Sequence, residues 1–203
     1  ADIAKNLRMV FANLIGNYKK YKQYATACSE LQQIVFAENL AEENYARLIV
    51  EFYRKKANNE AIMQEANRAQ EELAPYLLQS DSYTLHLYSG LLRMSSFTAT
   101  ADYERTLEVC DEMIHFFEEK TYTAGVPLQI AYYQKLLCHF QLRQFGETQQ
   151  FVERGLELLQ EGSYNWFKFQ ETYLSSPPVK PKDYPGYWRP RLHRSVLHKN
   201  ARY

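Results

Sequence analysis

Glu112-Met-Ile-His115 sets a carboxylate and an imidazole three residues apart, so on a helix both can reach one metal ion. Di-metal carboxylate bundles use two such motifs plus two further glutamates on facing helices. This chain has one such motif and no clear second. An exposed acid beside a partly buried histidine is the better account, and no metal and no cofactor is expected. Cys138-His139 suggests a thiol with its base, but neighbours on a helix point about 100° apart and cannot pair directly. A nucleophile then needs a separate base and an orienting group. The body offers only His86, His115 and His139. No phosphate loop, GxGxxG, GxSxG, HExxH or CxxC occurs. The expectation is therefore no catalytic residue and no enzyme.

The tyrosines are the unusual feature, 17 in all. Tyr45, Tyr53, Tyr83, Tyr88, Tyr132 and Tyr133 each join apolar area to a hydroxyl. Packing between helices explains most of them, and the remainder suit a peptide groove, where Tyr and Arg are favoured anchors. Arg54, Arg93, Lys135 and Lys168 stand near them and can receive acidic groups, with solvated faces as the plainer account.

These side chains need elements to position them. The chain has 203 residues, 46% hydrophobic and 15% aromatic, which is too apolar for disorder. Seven glycines, three cysteines and the lack of a long apolar run exclude collagen-like, disulfide-scaffold and transmembrane classes. Twenty-four basic and 24 acidic side chains give a net charge of zero. That balance argues against coating of nucleic acid or anionic lipid, and no membrane partner is expected. The zero is a sum of unlike parts. Residues 1–173 carry −6, whereas residues 174–203 carry +6 and five of the seven prolines. Such a shift marks a boundary near Leu174. The odd cysteines, Cys28, Cys110 and Cys138, suit buried small hydrophobes of a reducing, cytoplasmic compartment.

The body favours helix throughout. Apolar positions recur at three and four, as in Leu7, Phe11, Leu14 and Ile15, or Leu107, Cys110, Ile114 and Phe117. Four helices align on Tyr21, Asn59, Tyr103 and Phe145. Three residues on stand Tyr24, Ile62, Thr106 and Thr148; seven on, Cys28, Ala66, Cys110 and Val152; ten on, Leu31, Ala69, Met113 and Gly155. Those offsets trace one helix face. Each anchor follows a further helical stretch, at 3–18, 41–56, 82–97 and 127–142. The body then reads as four helix pairs, with a fifth opening at Ser163 through Tyr173.

This pattern resembles the tetratricopeptide repeat, which places an aromatic at the turn before its second helix and small or apolar residues 3, 7 and 10 further on. Tyr103 and Phe145 with their offset residues match best, Tyr21 is followed by a bulky Tyr24, and Asn59 stands where the family has an aromatic. Pro75 sits near the proline that ends the family's second helix. The segment Glu161-Gly-Ser-Tyr-Asn-Trp-Phe-Lys-Phe169 is similar to bacterial helical-repeat proteins. The resemblance implies an all-α, right-handed α-solenoid of antiparallel helix pairs over residues 1–173, with HEAT-type repeats as a neighbouring class. It also implies that first helices line a concave face. The expected binding residues are then Tyr45, Arg54, Tyr83, His86, Arg93, Tyr132, Tyr133, Lys135 and Lys168. The expected function is a non-catalytic scaffold for a protein or peptide. Its rivals are a peptide-sensing regulatory domain of a larger regulator and, less favoured, a metal-dependent enzyme built on Glu112 and His115. The basic Pro-rich extension, 174–203, is open to four readings: a nucleic-acid or acidic-partner segment, an arm folding back on the body, a linker, or an out-of-frame end.

Overall fold

A computed structural model of the chain describes residues 1–53, 59–120, 124–146 and 148–174. Among them every regular element is a helix. In chain order they are α1 Asp2–Asn13, α2 Tyr18–Tyr53, α3 Asn59–Leu77, α4 Tyr83–Ala99, α5 Tyr103–Glu118, α6 Gly125–Gln141, α7 Thr148–Glu157 and α8 Tyr164–Leu174.

Side-chain caps fix several starts, since the first amides of a helix have no partner within it. Ser82 accepts from the Leu85 amide at 3.3 Å, Asp102 from Arg105 at 3.2 Å, and Ser163 from Trp166 at 3.2 Å. Two helix ends share one geometry. Ala101, after α4, and Arg143, after α6, both take φ of 57°. The amide of Asp102 reaches the Phe97 carbonyl at 2.9 Å, and that of Gln144 reaches the His139 carbonyl, also at 2.9 Å. Each is a left-handed cap that closes the last turn and reverses the chain. The two lie as far apart as the anchors Tyr103 and Phe145.

The repeat face is buried. Of the twelve offset positions ten are buried, and the exceptions, Tyr24 and Leu31, both follow the first anchor. There the expected layout is wrong. Repeat register calls for a break between the helix anchored on Tyr21 and a separate stretch at 41–56. Instead α2 runs unbroken for 36 residues, about 54 Å at 1.5 Å per residue. Ala37-Glu38-Asn39-Leu40-Ala41-Glu42 holds no Gly or Pro, so nothing stops it. The stretch 3–18 is also shorter than expected. Helix α1 closes at Asn13, and Gly16, at φ 65°, turns the chain. Pro75 lies inside α3, which continues to Leu77.

Packing proceeds mostly between neighbours in the chain, α1 on α2, α2 on α3, and so on to α7 on α8. The longer-range pairs are α2 with α4 and α6 with α8. Leu48, Ile62, Ala66, Leu73, Leu85 and Leu92 form one core. Met94, Val109, Met113, Phe117, Leu136, Val152 and Phe169 belong to a second. Helix α4 feeds both, which explains why it is apolar on more than one face. Close approach needs small residues. A Cβ on Gly155 would meet the Phe169 ring, at 2.9 Å from Cζ. The extension beyond Leu174 lies outside the described residues.

Candidate functional site

The Glu112/His115 pair dissolves in three dimensions. Arg93 of α4 holds the Glu112 carboxylate with both guanidinium nitrogens, Nη2 at 3.2 Å from Oε1. His115 is 76% exposed rather than partly buried, and its Nε2 lies 3.4 Å from Glu119 Oε1. No group of three or more His, Cys, Asp or Glu able to hold a metal occurs among the described residues. The thiols are enclosed. Burial pushes Cys138 up to about 11 and Cys110 higher still, and Cys110 Sγ sits 3.7 Å from Met94 Sδ. All three cysteines are free and buried, and at Cys110 and Cys138 the thiolate form is disfavoured.

Arg93 and His86 line one shallow cavity of about 210 Å³ between α3, α4 and α5, with Leu77, Glu112, Phe116 and Phe117. His86 lies face to face with Phe116, centroids 3.9 Å apart, and its Nε2 is 3.0 Å from the Ser80 carbonyl oxygen. Burial lowers its pKa, and the Ser80 carbonyl and Asp81 oppose this less strongly. Lys120 Nζ stands 3.9 Å over the same Phe116 ring and donates to Asp81 at 2.7 Å. The His86 imidazole and the Lys120 cation thus share the Phe116 ring, and the ion-paired Arg93 lines the same cavity.

The other expected residues spread along the molecule. Tyr45 packs on Tyr88 at 5.6 Å, where the two cores meet, and burial raises its pKa. Tyr83 meets Phe117 edge-on at 5.4 Å. Tyr132 is buried and donates to Glu118 at 2.9 Å, while Tyr133 packs on Phe169 at 5.0 Å. Lys135 is only 9% exposed; it pairs with Asp111 and lies 4.0 Å over the Phe151 ring. Lys168 bonds Glu171 at 2.8 Å. Arg54 lies outside the described residues. His86 and Arg93 are thus brought together, whereas Tyr45, Tyr83, Tyr132, Tyr133 and Lys135 serve contacts between helices and Lys168 a contact within α8. Phe116, Lys120 and Asp81 join this site without any signal in the local sequence. Their separation, from 81 to 120, hides the cluster from any local pattern.

A larger open cleft of about 760 Å³ lies between α2 and α3, walled by Ala46, Val50 and Ala61 and flanked by Glu43, Arg47, Glu65 and Arg68. Arg68 carries its charge order. It reaches Glu65 at 2.6 Å and Asn44 Oδ1 at 3.1 Å, and Asn44 donates to Glu72 at 3.1 Å. The Arg68 bond holds Glu65 below the usual carboxylate range. This network satisfies a fully buried asparagine, a structural reason for its existence.

No family model matches the chain, and neither a curated protein nor a solved structure does. No helix among the described residues is long and apolar enough to cross a membrane.

Proposed function

We propose that the protein is a non-catalytic, tetratricopeptide-like scaffold, a right-handed solenoid of antiparallel helix pairs that receives a protein or peptide along its first-helix face. The observation that carries this reading is the packing order. Helices contact mainly their chain neighbours, with further contacts at α2·α4 and α6·α8. Quasi-one-dimensional stacking of this kind characterises repeat proteins, whose extended surfaces serve binding. The matched caps at Ala101 and Arg143 support a repeat of supersecondary units. Hydrogen bonds at Tyr132–Glu118 and Lys135–Asp111 support an antiparallel α5–α6 pair, because later residues of α6 meet earlier residues of α5.

Within this proposal His86 and Arg93 mark the centre of the face, and the tyrosines of the first helices stiffen it. Arg93 is the anchor for an acidic group, since its partner Glu112 is a surface carboxylate that a ligand carboxylate can replace. The test is affinity capture with wild type beside Arg93→Ala and His86→Ala variants. A partner held by wild type and released by both variants is the expected result. Equal retention by all three rejects the assignment of the face. A stoichiometric metal in the purified protein rejects the non-catalytic reading.

A further inference from the structure

We propose that the tip of the α1–α2 hairpin adsorbs to anionic lipid headgroups. The hairpin is an overhang. Helix α1 packs on α2, and none of its residues belongs to either core cluster. At its tip Leu14 is 80% exposed, Ile15 58% and Tyr18 67%. Lys19, Lys20 and Lys22 follow at once, in the opening turns of α2, where no acid stands. Three cations there oppose the helix dipole, which favours anions at that end. Lys20 Nζ lies 4.9 Å over the Phe11 ring and Lys22 Nζ 4.9 Å over Tyr18, so the rings hold both cations beside the apolar tip. Among the described residues no carboxylate pairs with any of the three.

Residues 1–29 contain Lys5, Arg8 and these lysines against the single acid Asp2, a local charge of +4. The balanced total for the chain averages this away. Apolar side chains projecting beyond a collar of lysines match a bilayer interface with acidic headgroups. A nucleic acid would leave Leu14 and Ile15 in water. Phe11 and Tyr24 already stack on each other at 5.4 Å and 5°, which withdraws both rings from base stacking. A convex tip also suits a deformable surface better than a rigid acidic groove.

The experiment is co-sedimentation of the full chain with vesicles of phosphatidylcholine alone, or with about one third phosphatidylserine, at about 0.1 M salt. Wild type should partition onto the anionic vesicles and not onto the neutral ones. Reversal of Lys19, Lys20 and Lys22 to Glu should lower partition about 100-fold or more, at about fivefold for each lost cation. Leu14→Ser with Ile15→Ser should lower it at least about tenfold. All five positions avoid the cores, and circular dichroism should show unchanged helicity. Equal partition of the charge-reversed chain would assign binding to the basic segment after Leu174 and overturn the proposal. So would equal binding to neutral vesicles. Retention on polyglutamate resin or on DNA without vesicle binding would assign the tip to an acidic protein or to nucleic acid, and would overturn it as well.

Discussion

His86 is where a single proton matters. Its imidazole is half-buried on Phe116, with Lys120 also over that ring and Asp81 and the Ser80 carbonyl as its polar neighbours. Burial lowers its pKa below the ordinary 6.5. The unfolded chain therefore binds more protons between the two values, and stability rises with pH in that interval. The contribution is complete above about 6.5 and is lost as pH falls below it. Urea unfolding at about pH 7.5 and pH 5.5 should show a larger acid loss for wild type than for His86→Phe, and equal losses would disprove the account. A backbone prediction belongs at the same scale. Arg143 holds φ of 57°, which costs a side chain about 1–2 kcal/mol relative to glycine. Arg143→Gly should raise stability by up to about 1 kcal/mol, after the added freedom of the unfolded chain is subtracted. Thermal melting of the two proteins decides it.

Helices carry the lesson about legibility. Starts at Asn59 and Tyr103 fall where the anchors put them, and at Tyr103 the capping Asp102 precedes an apolar run. The buried face is legible too, since the 3, 7, 10 spacing is a property of the helix itself. The join within α2 was not, because repeat register asked for a break while local propensity asked for continuation, and propensity won. The cavity beside Phe116 was half legible. His86 and Arg93 lie seven apart on one helix face, but Asp81, Phe116 and Lys120 arrive through tertiary contact. Continuity of α2 is directly testable. Asn39 is exposed and lies mid-helix, so Asn39→Pro should cost about 3 kcal/mol or more, through its missing amide and ring clash. A true loop at that point would absorb the proline with little change in the urea midpoint. Close packing of α7 on α8 offers a second element-scale test. Gly155→Ala gains helix propensity of about 1 kcal/mol but drives a methyl into the Phe169 ring, and overpacking typically costs about 1–3 kcal/mol. A net loss of stability is expected, and a more stable variant would show that the ring moves aside.

At the scale of the whole molecule the two cores share α4, while the outer part of the first hairpin, before Ala37, belongs to neither. Local opening should follow that division. Amides of α1 should exchange with solvent faster than those of α4, and uniform protection across both would contradict it. The long helix adds a mechanical consequence. Because α2 passes from the overhang into the first core without a hinge, about 54 Å of hydrogen-bonded backbone acts as one stiff beam. A load applied at Tyr18, where α2 begins, then meets no loop before Leu48. The helix carries it to Leu48 in the first core and to the Tyr45–Tyr88 contact where the two cores meet.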